Sequence, residues 1–143
     1  KGTVLVPTMS TWDNRLQHAV SWGLTKDEIR ASEMRREASI ASFKRCLASG
    51  VKVAAGTDAG GCPVRHGTLV REMEVMIEAG LTNMQAIEAA TRTPAELAGT
   101  INNVGTIEVG KLADLILVDG DPLDDIAALR NIWAVFQGGR RIR

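Results

Sequence analysis

The sequence predicts an α/β fold, in which short apolar strands alternate with amphipathic helices, followed by a β-rich tail. The apolar residues of the first run, residues 3–8, are continuous rather than alternating, which is typical of a parallel strand covered on both faces, and a second short β-rich run spans residues 51–55. A long helical segment separates them, and this order favours a parallel sheet with right-handed crossovers. The pattern changes after residue 103, so we expect two structural units, residues 1–103 and 104–143.

In the first half, Pro7 is expected to cut the first strand short, and a polar loop is predicted to follow, carrying Trp12 and Trp22. Thr25-Lys26-Asp27-Glu28 is a capping box that predicts a helix running to about Ser49 and ending at Gly50. Its expected apolar stripe is Ile29, Met34, Ile40, Phe43 and Leu47, and its expected solvent-facing cations are Arg30, Arg35, Arg36 and Lys44.

Three further helices are expected downstream. The first spans about residues 68–79, with Leu69, Met73, Met76 and Ile77 on one side, and stops at Gly80. A second capping box at residues 82–85 opens a helix to about residue 90. For the third, Thr93 is expected as the cap, with Pro94 at the first helical position. Strands are then predicted over 112–118 and 132–136, with Gly138-Gly139 as a hairpin turn.

Composition narrows the class of protein. The 143 residues carry a formal net charge of zero, which gives no electrostatic footprint for nucleic acid or an anionic membrane. No apolar run approaches the roughly 18 residues that a membrane span needs, and no signal-peptide pattern is present. Two cysteines cannot form a disulfide framework. We therefore expect a cytoplasmic protein that binds neither nucleic acid nor membrane.

The most informative motif is the small-residue loop of residues 56–61, Gly-Thr-Asp-Ala-Gly-Gly, directly after the second strand. Asp58 lies where a strand ends, and ligands of α/β proteins bind at that edge of the sheet. The glycines let a ligand or a metal approach the backbone. Asp58 is therefore a candidate ligand-binding residue. The structural alternative, with comparable weight on position alone, is a carboxylate that caps the next helix or its own loop.

This segment gives less support to three other kinds of site: a phosphate loop, a local metal site and a thiol nucleophile. A phosphate loop would need Lys and Ser or Thr after the last glycine, and Cys62 and Pro63 follow instead. Asp58, Cys62 and His66 are spaced four apart, but Pro63 breaks the helix that would align them on a metal. A Cys62 nucleophile has no base placed beside it. His66 follows the same loop, and it either contacts a substrate or has a capping or packing role.

Taken together, the motifs resemble the amidohydrolase superfamily, and within it the imidazolonepropionase-like and prolidase-like metal-dependent hydrolases. The resemblance covers essentially the whole chain. It rests on residues 56–59 (GTDA), 66–67 (HG), 71–74 (REME), 78–82 (EAGLT), 86–91 (AIEAAT) and, most specifically, 105–115 (GTIEVGKLADL). It implies a fold class: the C-terminal portion of a (β/α)8 barrel, comprising its last two strands and their helices, plus part of a small β-sandwich domain.

The resemblance also implies a chemistry. Such enzymes hold one or two divalent metals, often zinc, at the mouth of the barrel, and hydrolyse a carbon–nitrogen bond of a small-molecule substrate, an amide, a cyclic amide or a dipeptide. Asp58 matches the aspartate that ends the last barrel strand, which binds metal and carries a proton between the attacking water and the leaving nitrogen. His66 would be a substrate-binding residue. A homo-oligomer is compatible with the resemblance.

The chain departs from the family pattern in one respect. It has no HxH pair, and no histidines that match the other metal ligands. We therefore expect this chain to be the C-terminal part of a longer enzyme. It would need the missing N-terminal part of the same protein, and we expect it to be inactive alone. Two alternatives stay open: a non-catalytic relative with a role in assembly, and an autonomous small α/β domain that binds a ligand.

Overall fold

A computed structural model of the protein describes residues 2–60 and 64–143. Two short parallel strands and five α-helices are followed by a three-stranded antiparallel sheet. The first part comprises β1 (Val4–Leu5), α1 (Ser10–Gln17), α2 (Lys26–Ala48), β2 (Lys52–Val53), α3 (Leu69–Glu78), α4 (Asn83–Ala90) and α5 (Arg92–Leu97). The second comprises β3 (Leu115–Val118), a 3₁₀ helix (Ile126–Arg130), β4 (Ile132–Gln137) and β5 (Arg140–Arg141).

The strands β1 and β2 pair in parallel, as the sequence predicts. Val4 lies opposite Lys52 and Leu5 opposite Val53, and Ala54 N–H donates to the Leu5 carbonyl at 2.9 Å. The expectation that both faces are covered is wrong for this chain, because Val4, Leu5 and Val53 remain partly exposed. The reason is that β1 and β2 form the entire sheet among the described residues, and no further strand extends it.

The long helix α2 begins at the predicted capping box. Thr25 N–H donates to the Glu28 carboxylate at 2.8 Å, and Glu28 N–H donates to Thr25 Oγ1 at 3.3 Å. The helix ends before Gly50, whose φ of 72° is a left-handed conformation that favours glycine. One expectation for its apolar stripe is wrong: Met34 is 62% exposed, and the polar Ser32 is buried instead.

The expectation that Arg36 on α2 faces solvent is also wrong. Its side chain is half-buried and pairs with Asp13 and Glu78. The physical reason is the position of α1, which packs against α2 and places Asp13 within reach. Spacing along one helix identifies a polar face, but it does not show whether another element brings a counter-charge to that face.

The helix α1 replaces the polar loop that the sequence predicts over this segment. Its N-cap residue, Met9, offers no side-chain hydrogen bond to the helix. Instead the Glu72 carboxylate, far away in the sequence, accepts from the N–H groups of Met9 and Ser10. The loop prediction is wrong because the groups that satisfy the helix N-terminus come from α3 and not from the neighbouring sequence.

The helices α3 and α4 lie close to the predicted positions. Thr82 and Gln85 form the second capping box, with hydrogen bonds of 2.9 and 3.2 Å. The start of α5 differs from the prediction. Thr91 is its N-cap, so Pro94 is the third helical residue rather than the first. The shift is tolerated because the first four N–H groups of a helix have no intrahelical partner, so proline loses nothing there.

A buried core joins the helices to the C-terminal segment. Its members come from the start of α1, from α2, α3 and α4, and from the 3₁₀ helix: Met9, Phe43, Met73, Val75, Met76, Ala79, Leu81, Ala86, Ala89 and Ile126. Leu69, expected on the buried side of α3, is 37% exposed. An Asn83 side-chain amide also donates to the Leu123 carbonyl at 2.9 Å. The C-terminal segment therefore contributes to the same core as the helices.

The C-terminal sheet has the order β3-β4-β5 and is antiparallel. The predicted hairpin turn is confirmed, since Gly138 and Gly139 both have a left-handed φ, 55° and 80°. The strand β3 begins later than predicted because Leu112 N–H donates to the Asn103 carbonyl at 2.8 Å instead of pairing with a strand. Within residues 2–60 and 64–143, no helix has the length and apolar character needed to cross a bilayer.

Candidate functional site

The ends of β1 and β2 meet at one edge, because parallel strands point the same way. Thr8 follows β1 with a φ of 47°, and Asp58 follows β2 with a φ of 53°. Among the described residues these are the two non-glycine residues with a positive φ. Left-handed backbone is uncommon outside glycine, and for the β-branched threonine it is strained. Strain of this kind collects at functional sites, so this edge is the candidate site.

Asp58 is exposed at this edge. Its carboxylate makes no hydrogen bond or ion pair with any residue that the structure describes. The capping role considered above for Asp58 is therefore not seen among the described residues. The N-cap residue of α3 is Thr68, and the Asp58 carboxylate does not cap this helix. An exposed carboxylate that no described residue engages is available to a cation or a proton.

The two loops at this edge are in contact. A Cβ built on Gly56 would lie 2.5 Å from Val6 Cγ1 and 3.9 Å from Thr8 Cγ2, so only glycine allows this approach. Thr11 Oγ1 donates a long hydrogen bond of 3.5 Å to the Thr57 carbonyl. The segment after β1 and the Asp58 loop are therefore packed on each other, and a shift of one moves the other.

Glu72 is the residue at this edge that sequence reasoning missed. Its side chain is fully buried, and its two carboxylate oxygens accept from Met9 N–H at 2.9 Å and Ser10 N–H at 2.7 Å. Burial raises the pKa of this carboxyl, and the backbone hydrogen bonds oppose the rise. A signal was available: Glu72 shares helical spacing with Leu69, Met73 and Met76, so an acidic residue stands in the apolar stripe of α3.

His66 lies beside the Asp58 loop, as the sequence predicts for its position. Its ring is exposed, and Nε2 is 3.8 Å from the Cβ position of Gly60. Gly60 N–H donates to the Val64 carbonyl at 3.1 Å. Cys62, considered above as a thiol or a metal ligand, lies outside the described residues.

An ion-pair network packs α1, α2 and α3 together next to this edge. It contains three arginines and three carboxylates, which balance: Arg36, Arg71, Arg130, Asp13, Glu74 and Glu78. At its centre, Arg71 Nε donates to Asp13 at 2.9 Å. Burial works to lower the pKa of Arg71, but hydrogen bonds to Glu74 and Asp13 outweigh it, and the pKa is raised.

A cavity of about 280 Å³ borders this network and is lined by α1, by residues near the start of α3 and by Arg130. Its charged lining residues include Asp13, Arg71 and Arg130, which already pair within the protein. Asp58 and His66 are not among its lining residues. The cavity therefore belongs to the ion-pair network, and the strand edge remains the candidate site.

Metal-ligating side chains do not gather in the part of the chain that the structure describes: no group of three or more His, Cys, Asp or Glu residues is placed to hold an ion. Asp58 supplies one oxygen donor of the type that divalent metals accept. A single carboxylate is not a complete site. Asp58 therefore suits the role of one ligand of a metal centre. The other ligands of such a centre would have to come from outside the described residues.

Known proteins resemble the chain along its length. A 5-methylthioadenosine/S-adenosylhomocysteine deaminase of Moorella thermoacetica is 36% identical over 97 residues, which is 62% of this chain and 22% of that protein. The structure of a Xaa-Pro dipeptidase with bound methionine superposes with a TM-score of 0.84 at 35% identity, over 99% of this chain and 35% of that one.

A prolidase complexed with N-methylphosphonate-L-proline superposes equally well, with a TM-score of 0.84 at 28% identity, over 99% of this chain and 35% of that one. The chain thus spans about a third of the length of these structures. The sequence profile of the amidohydrolase family matches residues 1–142. The chain belongs to the amidohydrolase family, and it is similar to the prolidase-like members of that family.

Proposed function

We propose that this chain is the C-terminal part of a metal-dependent hydrolase that cleaves a carbon–nitrogen bond in a small-molecule substrate. The observation that carries the proposal is the state of Asp58. It stands at the carboxyl edge of the parallel strands, in a left-handed conformation, with an exposed carboxylate that has no partner among the described residues. Because this carboxylate is open to solvent at the edge where ligands of parallel sheets bind, it is positioned to meet a ligand.

Asp58 would hold a divalent metal, most simply zinc, together with ligands from the rest of the protein. Such a metal, when bound, lowers the pKa of a coordinated water from about 15.7 to about 7 and polarises the substrate carbonyl. The second carboxylate oxygen of Asp58 would accept the proton of the attacking water and return it to the leaving nitrogen. His66, exposed beside the same loop, would contact the substrate.

Exposed apolar surface supports a longer protein. Ile116 is 49% exposed and Leu117 is 42% exposed, and adjacent strand residues point to opposite faces of a sheet. Each face of β3 therefore carries a partly exposed apolar side chain, and Trp133 on β4 is 63% exposed as well. We infer that residues 104–143 form part of a composite β-sandwich, completed by strands from the missing N-terminal part, and that residues 1–103 end a (β/α)8 barrel.

The relatives favour a dipeptide as substrate. Two solved structures that superpose on 99% of the chain are a Xaa-Pro dipeptidase and a prolidase, while the deaminase matches the chain by sequence. Both reactions break a carbon–nitrogen bond with water. The deaminase supports a second candidate substrate class, a purine nucleoside that loses its exocyclic amine.

The test uses the intact polypeptide that carries this segment, assayed with zinc on a panel of Xaa-Pro dipeptides and adenine nucleosides. We expect hydrolysis of at least one class, and we expect Asp58→Asn to reduce kcat by at least about 100-fold because it removes the proton acceptor. The matched control is Asp119→Asn. Asp119 is also an exposed aspartate that follows a strand, but that strand is β3 in the other sheet, so its variant should keep wild-type activity.

Three results would count against the proposal. An Asp58→Asn variant with wild-type kcat would remove Asp58 from the chemistry. An intact protein that binds no metal and hydrolyses no member of the panel would favour a non-catalytic relative instead. A sharp cooperative melt of the 143-residue chain as a monomer would support the alternative of an autonomous domain.

A further inference from the structure

We propose that Glu72 is a positioning residue of the active site: its buried carboxylate fixes the turn after β1 and, through that turn, the loop that carries Asp58. The inference rests on the proposed function, and it adds to it a residue that does not touch metal or substrate. The structural basis is a chain of three contacts, from Glu72 to the start of α1, from there to Thr8, and from Thr8 to the Asp58 loop.

The first step is the anchoring of α1. The first N–H groups of a helix have no intrahelical partner, and Met9 supplies no capping side chain. The Glu72 carboxylate accepts from Met9 N–H through Oε1 and from Ser10 N–H through Oε2, at 2.9 and 2.7 Å. A carboxylate at this end also matches the positive end of the helix dipole. Because Glu72 is fully buried, no water can replace it.

The second step fixes Thr8, whose left-handed φ of 47° is unfavourable for a β-branched residue. Strained residues persist only where both flanks hold them. On one side, β1 is paired with β2 through Leu5. On the other side, Met9 is held by Glu72 and by the buried core. Without the Glu72 bonds, Thr8 could relax toward an ordinary backbone conformation.

The third step transfers this position to Asp58. Thr8 Cγ2 lies close to Gly56, with 3.9 Å to its Cβ position, and Thr11 Oγ1 reaches the Thr57 carbonyl at 3.5 Å. These two contacts fall on Gly56 and Thr57, the two residues that lead directly into Asp58. A relaxed Thr8 turn would therefore displace the Asp58 carboxylate, and small misplacements of a reacting group are costly to catalysis.

The test is Glu72→Gln in the intact metal-loaded protein. Glutamine has the same shape, but its NH2 group would face one of the two N–H donors, so one hydrogen bond is replaced by a donor–donor contact. We expect kcat to fall by about 10–100-fold, as for other groups that orient metal ligands, while KM stays within about twofold. Competition with a chelator should show that the variant binds the metal with lower affinity than the wild type does. This measurement does not depend on turnover.

The matched control is Glu74→Gln, two residues along the same helix. Glu74 pairs with Arg71 and Arg130 in the ion-pair network and touches neither strand-end loop. Its variant should lose stability but keep kcat and metal affinity. If Glu72→Gln does not fold, Glu72→Asp keeps the charge on a shorter stem, and we expect it to lower kcat at unchanged KM.

An active wild type alongside a Glu72→Gln variant of equal kcat and metal affinity would overturn the inference. So would a loss of kcat that the Glu74→Gln variant reproduces, because the effect would then reflect general destabilisation. If Glu72→Asp alone is available, wild-type kcat in that variant would overturn it too. Failure of the proposed function looks different, since the wild type itself would then show neither hydrolysis nor bound metal.

Discussion

Replacing Gly56 with alanine should destabilise the protein through a single contact. The added Cβ would lie 2.5 Å from Val6 Cγ1, about 0.9 Å inside the 3.4 Å at which ordinary contact begins. Gly56 is not one of the glycines with positive φ, so its backbone suits alanine and the cost is steric. Overpacking of this kind costs about 1–3 kcal/mol. Alanine also restricts the unfolded chain, which returns about 0.4–1 kcal/mol. We therefore expect a net loss of about 1–2 kcal/mol in the free energy of unfolding.

Truncation of Val6 should remove the cost. Val6 is 43% exposed, so Val6→Ala alone should cost roughly 1 kcal/mol, about half the value of a fully buried valine. In that background Gly56→Ala meets no Cγ1 and should be neutral or slightly stabilising. The gain from restricting the unfolded chain is present in both backgrounds, so the coupling energy of the double-mutant cycle should equal the steric cost, about 1–3 kcal/mol.

Urea unfolding of the intact protein, followed by circular dichroism, measures the four variants of this cycle. Gly99→Ala is the control, since Gly99 has a φ of 71° and nothing within 4 Å of its Cβ position. It should cost about 1 kcal/mol whether valine or alanine occupies position 6. The reasoning is refuted if Gly56→Ala costs the same in the wild type as in the Val6→Ala background. It is also refuted if Gly56→Ala costs nothing, because Val6 would then move away freely.

Two further outcomes follow from the local interactions. Thr25→Ala removes the capping box of α2 and should lower the free energy of unfolding by about 1 kcal/mol, read from the urea midpoint; an unchanged midpoint would show that the box does not hold the helix start. The hydrogen bond from Arg130, aided by that from Arg71, holds the pKa of Glu74 below its ordinary value. Ionised Glu74 therefore stabilises the fold above its ordinary pKa of 4.5, and this stability is lost as the pH falls through the lower folded pKa. Glu74→Gln should consequently lose less stability than wild type between about pH 7 and pH 3, and equal losses would contradict the assignment.

The features that could be predicted from the sequence are those set by neighbouring residues. The capping boxes at Thr25 and Thr82 are predictable because both partners lie within three residues of each other. The hairpin at Gly138 is predictable because its turn requires left-handed residues. The two strands β1 and β2 are predictable because each has a short run of neighbouring residues that favour strand formation.

The features that sequence reasoning missed depend on contacts between distant residues. The helix α1 is expected as a loop because its cap, Glu72, is 63 residues from Met9. Arg36 is expected in solvent because its partner Asp13 lies on another helix. The position of Asp58 at a strand edge could be predicted, but its left-handed backbone and its contact with the Thr8 turn could not, since both arise from the packing of two loops.

The measurement that bears most directly on the proposed metal site is metal binding by the intact polypeptide, wild type and Asp58→Asn, after removal and re-addition of zinc. If Asp58 is a metal ligand, the wild type should bind one or two equivalents per chain. Asp58→Asn should bind at least about tenfold more weakly, while Asp119→Asn should match the wild type. Equal affinity in wild type and Asp58→Asn would contradict the proposal that the carboxylate at the end of β2 holds the metal.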